Sequence, residues 1–292
     1  MNRPVYNPFI DDSGGTADEE LAVRGKQGDR GALEQLTLRH QPWIYNLAVR
    51  MVWSTDEAQD LTQDILVRML AGLAGFRGES RFRTWLYRIA VNRIFTHKKQ
   101  QASAPVVTYS EFVRDMDETP ELGALDPHDP AEQLLIEEAK ILCTMAMLLC
   151  LDGRQRLVFT LGEVFGVTDV VGAETLGMTP ANFRQILARA RRDLYSFMAG
   201  NCGLVNESNP CRCARKARGF IQQGYMSADG LRFAQGHQFR VRQVAPSRAH
   251  ELEEATDRLQ AALFQEHPFL DIRAQSEMVR RALESVDRQP PR

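Results

Sequence analysis

The stretch FRGESRFRTWLYRIAVNRI, Phe76–Ile94, carries Arg77, Arg81, Arg83, Arg88 and Arg93 against a single acid, Glu79. From Phe82 the apolar residues Trp85, Leu86, Ile89 and Ala90 recur at i+3, i+4, i+7 and i+8, which is one buried face of an amphipathic helix. The spacing assigns Arg83, Thr84, Tyr87, Arg88, Val91 and Phe95 to the opposite face, and Lys98 and Lys99 extend its positive strip. A merely solvated face mixes Lys with Glu. Arginine interleaved with aromatics is what phosphate binding and stacking on unpaired bases require, the latter at about 1–3 kcal/mol per base.

One turn upstream, DEAQDLTQDILVRML (Asp56–Leu70) and the residues just after it have a core stripe of Ala58, Leu61, Ile65, Met69 and Leu73. A second stripe, Asp60, Gln63, Asp64 and Val67 at i, i+3, i+4 and i+7, is polar and negative. Two adjacent surfaces of opposite sign suggest two different partners.

The surrounding chain is that of an ordinary soluble protein. Of 292 residues, 43% are hydrophobic and 25% charged, and the net charge is −2, so nucleic-acid binding has to rest on local charge. The opening MNRPVYNPFIDD lacks the apolar core of a signal peptide. The longest greasy run, Ile141–Leu151, is too short to span a bilayer, so no membrane association and a cytoplasmic location are expected. No Walker A loop, His-Glu-x-x-His or Gly-x-Ser-x-Gly is present, which leaves NTPase and hydrolase readings unsupported and points away from an enzyme.

Hydrophobic periodicity makes the chain mainly α and divides it into five segments. Residues 1–17 read as a flexible tail, and 18–101 as a helical block. Residues 102–130, with Pro105, Pro120, Pro127, Pro130 and a run of acids, read as an extended acidic linker. Residues 131–200 form a second helical block, and 201–292 a cysteine-containing C-terminal extension. Within the extension, Leu231–Val244 is the best strand candidate, a hairpin. Two amphipathic stretches, Leu252–Leu263 and Ile272–Leu283, flank His267-Pro268 and are too short to stand alone, so they must pack on other parts of the chain or on a partner.

The second block has helix-turn-helix grammar. Gly177 ends one helix, Thr179 is placed to cap the next, and Pro180 suits its first position. Phe183, Leu187, Ala190 and Leu194 form its buried stripe. Asn182, Gln185, Arg189 and Arg192 lie outward with Arg184 beside them, residue types that read base edges and phosphates. Gly172, inside the first helix of the pair, costs about 1 kcal/mol relative to Ala.

DLTQDILVRML followed by FRGESRFRTWLYRIAVNRI resembles region 2 of sigma-70 family factors, in particular the small extracytoplasmic-function group. The resemblance implies two helical sigma domains, a promoter-melting bundle and a helix-turn-helix, joined by the acidic linker. It implies core RNA polymerase, promoter DNA and an anti-sigma factor as partners. Polymerase docking would fall to Asp60, Leu61, Gln63, Asp64 and Val67. The minus-ten element would fall to Arg77, Arg83, Tyr87, Arg88, Asn92, Arg93, Lys98 and Lys99. The second block resembles region 4, which assigns the minus-thirty-five element to Thr179, Asn182, Arg184, Gln185, Arg189 and Arg192. The alternative is an autonomous helix-turn-helix regulator with a metal- or redox-sensing tail.

CGLVNESNPCRC places Cys202, Cys211 and Cys213 together as candidate metal ligands. No cofactor is required for promoter recognition, but zinc is the metal such thiolates suit, and structural zinc takes four ligands. His237 or Cys150 are candidates for the fourth. A redox pair and plain reduced cysteines are the other readings. Cys143 and Cys150, one heptad apart on an apolar helix, read as core.

Overall fold

A computed structural model describes residues 15–100, 107–228 and 272–287, and every regular element among them is helical. The helices are α1 (Gly15–Lys26), α2 (Arg30–Val52), α3 (Thr55–Gly72), α4 (Phe82–Gln100), α5 (Tyr109–Glu118), α6 (Pro130–Leu148), α7 (Gly153–Phe159), α8 (Asp169–Leu176), α9 (Pro180–Asn201), α10 (Cys213–Gln222) and α11 (Ile272–Asp287). The mainly α expectation holds. Leu231–Val244, Leu252–Leu263 and His237 lie outside the described residues.

The chain forms two compact units whose limits cut across the segments read from sequence. Among the described residues, the first gathers those within 15–100, 160–185 and 272–287; the second gathers those within 107–159 and 186–228.

In the first unit α2 is the central rod, buried on nearly all sides from His40 to Met51. Asp29 caps its start by accepting from the Ala32 amide at 3.1 Å. Trp53 ends it in the left-handed conformation, with φ 65°, and Ser54 at once caps α3 by accepting from the Glu57 amide. α1, α3 and α4 pack around this rod. So does α11, which lies against α2 and α3 and buries Met278, Val279 and Ala282. Gln41 of α2 donates its amide to the Met278 sulfur at 3.1 Å. The second amphipathic stretch of the tail thus packs on the first helical block, as its length required.

The helix-turn-helix forms as its punctuation dictates. Thr168 caps α8, Gly177 closes it with φ +62°, and the Thr179 hydroxyl accepts from the Asn182 amide at 3.2 Å to start α9. Gly172 is required by packing. A Cβ there would lie 2.4 Å from the ring of Phe183, which is fully buried, so the glycine lets α8 and α9 close on that ring.

In the second unit the segment read as an extended linker is folded. Thr108 and Glu111 form a capping box that starts α5, and Asp129 caps α6 by accepting from the Ala131 and Glu132 amides. α10 packs on α6 and ties down the chain between α5 and α6. Lys216 donates to the carbonyls of Met116 and Thr119 at 2.8 and 2.9 Å, and the Ala214 carbonyl accepts from the Leu125 amide at 2.9 Å. Gly219 admits the Pro120 carbonyl to 2.3 Å from where a Cβ would stand. At the far end of α6, the buried Arg156 donates to the carbonyls of Leu148, Leu149 and Leu151 at 2.7, 3.0 and 3.1 Å, capping the helix. Burial pushes its guanidinium down to about 10.

The close approach at Gly172 has a measurable sign. An exposed helical glycine replaced by alanine gains up to about 1 kcal/mol, whereas a methyl forced into a packed ring costs about 1–3 kcal/mol. Gly172→Ala is expected to lower the unfolding free energy in a urea titration, and Gly172→Ala combined with Phe183→Leu to recover part of the loss.

Candidate nucleic-acid and polymerase interface

α4 is held in place by a buried carboxylate. Asp18 of α1 is fully buried, and its oxygens take Arg83 Nε and Arg39 Nη1, each at 2.7 Å. His40 Nε2 lies 3.4 Å away, and His40 Nδ1 accepts from the Trp43 indole at 3.0 Å. Burial alone would raise the Asp18 carboxyl, but His40, Arg83 and Arg39 bring it down to about 2. Burial holds His40 below the ordinary imidazole range. Glu19, the next residue, adds a bond by accepting from the Phe82 amide at 2.9 Å. α1 therefore fixes both the start and the rotation of α4.

That rotation differs from the one read in the sequence. Arg83 is buried in the Asp18 network, and Tyr87 is buried edge-on against Trp43 with ring centres 4.5 Å apart. Thr84 and Val91 are buried as well. Arg83 and Tyr87 are thus corrected from DNA contacts to core. The cause is that α4 packs on more than one side, against α1, α2 and α3 and also against α8, so the apolar stripe alone did not fix its phase. The exposed line is Arg81, Arg88, Asn92 and Thr96, with Trp85 and Ile89 half-buried along its edge. Trp85 was assigned to the core by its spacing. Its position at i−3 from Arg88 and i−7 from Asn92 was the signal that it borders the outward face. Arg77 lies exposed in the loop before α4, where Gly78 adopts φ +74°. The side chains of Lys98 and Lys99 lie outside the described residues.

Arg88 pairs with Glu174 of α8 at 3.0 Å, both ends nearly half exposed. Such a pair contributes at most about 1 kcal/mol and yields readily to a phosphate. Arg93 pairs with Asp64 of α3, and Asp64 is also 3.1 Å from Arg68. The acidic and basic stripes are therefore joined at Asp64 and Arg93, not separate. Leu61 is buried core, a correction to its place among docking residues. Asp60 is exposed and Gln63 and Val67 are half-buried, which leaves these three as the outward part of the α3 stripe.

On α9, Gln185, Arg189 and Arg192 are exposed and Asn182 is half-buried, at i, i+3, i+7 and i+10. Arg184 is exposed beside them and pairs with Asp169. Thr179 is taken up as the cap. This helix has the residue types and exposure of a reading helix.

Comparison with known proteins fits this geometry. The family description "Sigma-70 region 2" matches residues 36–104, which run from α2 through α4. An 88-residue stretch is 40% identical to the RNA polymerase sigma-H factor of Pseudomonas aeruginosa, covering 30% of this chain and 46% of that protein. The chain thus spans about half the length of that relative. Over 174 residues it is 29% identical to the ECF RNA polymerase sigma-E factor of Escherichia coli, covering 60% of this chain and 90% of that one. A solved structure of CnrH in complex with the cytosolic domain of CnrY aligns at 21% identity with a TM-score of 0.44, over 62% of this chain and 97% of that one. Residues 36–104, from α2 through α4, thus carry a sigma-70 region 2. Over 174 residues the chain is similar to a sigma factor of the extracytoplasmic-function type.

The Asp18 network has a pH signature. A carboxyl at about 2 when folded, against 3.8 unfolded, contributes stability that is full above about pH 4 and is lost as pH falls towards 2, about 2 kcal/mol in all. Asp18→Asn should cost about 3–5 kcal/mol at neutral pH by leaving buried guanidinium charge uncompensated. It should also flatten the acid limb of stability against pH, as read by chemical denaturation between pH 2 and 5.

Proposed function

We propose that this protein is an alternative sigma factor that directs core RNA polymerase to particular promoters and starts transcription by recognising and melting them. It catalyses no reaction itself; polymerase supplies the chemistry. It works in the cytoplasm, with core polymerase, promoter DNA and an anti-sigma factor as partners. The observation that carries the reading is the exposed line Arg81, Arg88 and Asn92 on α4, with the half-buried Trp85 at its edge, within the stretch that matches region 2. Guanidiniums there suit phosphates, the half-exposed indole offers a stacking face, and the Asn92 amide suits the edge of a base freed from the duplex. Asp60, Gln63 and Val67 on α3 would meet the polymerase, and Gln185, Arg184, Arg189 and Arg192 on α9 would read the upstream element. An autonomous helix-turn-helix regulator is not favoured by the matches, since region 2 has no role in it.

Asp60 is exposed, so its reversal should shift stability by less than about 0.5 kcal/mol. Asp60→Arg is therefore expected to abolish co-purification with core polymerase while the protein stays folded. The two DNA surfaces should separate by step. Gln185→Ala should weaken closed-complex formation by about 1–3 kcal/mol and relax preference in the upstream element. Asn92→Ala and Trp85→Ala should leave closed complexes nearly intact and slow melting, read by permanganate reactivity of unpaired thymines in run-off reactions. Tyr87→Phe, conservative and buried, should melt promoters normally. Normal melting by both the Asn92 and Trp85 variants would overturn the assignment of this face.

A further inference from the structure

The three cysteines after α9 have a fourth thiol beside them. Cys202 and Cys211 form an isolated parallel β-bridge, so the two backbones run about 5 Å apart there. Gly203 makes this possible: a Cβ there would stand 2.0 Å from the Cys211 carbonyl oxygen and 1.9 Å from Arg212 Nη1. The intervening loop is closed by its own side chains. Asn209 donates to the carbonyls of Ala199 and Cys202 at 3.0 and 3.1 Å, and Arg212 donates to those of Glu207 and Cys211 at 2.6 and 2.9 Å. Cys213 opens α10, whose cap residue Arg212 makes no side-chain bond to the first-turn amides. α10 packs on α6, the helix that carries Cys143. Cys143, Cys202 and Cys211 line one cavity of about 200 Å³ together with Phe112, Met116 and Phe197.

These thiols lie in one another's electrostatic field. Burial first, and then the thiols of Cys213, Cys211 and Cys202, hold Cys143 well above the ordinary range. Burial and then Cys202 and Cys211 raise Cys213 to about 12. Cys150 lies differently: after burial, its leading charge neighbours are Arg156 and Glu111. Among the described residues no three His, Cys, Asp or Glu side chains already stand as ligands round one point, so the thiols have to turn about their Cα–Cβ bonds to converge. Each of the four side chains is only partly covered.

We propose that Cys143, Cys202, Cys211 and Cys213 bind one structural zinc ion as a four-thiolate site. Four thiols lose their protons to solvent as four Zn–S bonds of about 2.3 Å form, and the ion relieves the mutual repulsion of the thiolates. The product carries two negative charges. Lys216 and Arg212 lie in the field of Cys211, and Lys140 in that of Cys213, to offset them. Cys143 thereby moves from core residue to the fourth ligand, a place for which spacing had offered Cys150 or His237.

The test does not depend on the sigma reading. Full-length protein purified under reducing conditions should hold one zinc per chain by mass spectrometry of the released metal. Cobalt(II) in its place should give the charge-transfer and strong d–d bands of tetrahedral thiolate ligation. Cys143→Ser should weaken zinc binding about 100-fold in competition with a chromophoric chelator, a loss at the upper range for even a supporting group. Cys150→Ser should bind as the parent does. Should the serine variant fail to fold, Cys143→His should restore a tetrahedral cobalt spectrum with weaker charge transfer. The proposal is overturned by Cys143 variants with parental affinity and spectrum. It is equally overturned by a reduced protein that takes up no metal, or by a metal-free protein in which peptide mapping finds a Cys202–Cys211 disulfide.

Discussion

The ion cluster at Asp18 governs what the first unit can present to a partner. A buried carboxylate is costly unless its lone pairs and charge are matched. Here Arg83 and Arg39 match them, with His40 close by. The three partners come from α2 and α4, so satisfying one carboxylate fixes the rotation of both helices against α1. Apolar packing alone would tolerate some slip of α4, because Phe82, Leu86, Ala90 and Ile94 on one side and Tyr87 and Val91 on another are all buried. The charged contact removes that slip. Its consequence is that Arg88 and Asn92 face outward.

The remaining arginines of α4 show how one basic helix divides its work. Arg83 is consumed by the fold. Arg88 and Arg93 are held by acids at the surface, Glu174 and Asp64 respectively. Pairs of this kind keep a basic surface from self-repulsion in the free protein, yet they contribute so little that a polyanion can displace them. Asp64 is shared between Arg68 and Arg93, so a change at the α3 stripe is felt at the α4 strip. The two surfaces read as independent in the sequence are electrostatically coupled.

Much of the fold was legible because it rests on local signals. Thr179, Pro180 and Gly177 marked the helix-turn-helix by capping and turn chemistry, and those contacts form as written. The stripe on α3 announced its core, and Leu61 belongs to it. The phase of α4 was not legible, since a helix packed on several sides has no single apolar face to read. Tyr87 and Arg83 went to the wrong side for that reason, and Trp85 with them in the opposite sense. Gly172 looked like a defect because its value depends on Phe183, eleven positions away and in the next helix. Cys143 looked like core because its neighbours Cys202, Cys211 and Cys213 come from the loop after α9 and the start of α10, far along the chain, and no periodicity connects them.

The acidic segment between the two helical blocks carries the same lesson in a different form. Its acids suggested an extended, self-repelling tether. Several of them instead sit where backbone amides lack partners. Glu111 completes the capping box of α5 and Asp129 caps α6; Asp126 takes the His128 amide, and Glu132 takes the Asp126 amide. An acid at a helix start is stabilised by the amides and the helix dipole together, which offsets the repulsion that the same charge would cause in an extended chain. Lys216 then neutralises part of what remains, and Gly219 brings α10 close enough for the carbonyls of this segment to be bonded. Composition counted the charges correctly. Their effect was decided by position, because a carboxylate that accepts from a free amide orders the chain, and one with nothing to accept from extends it.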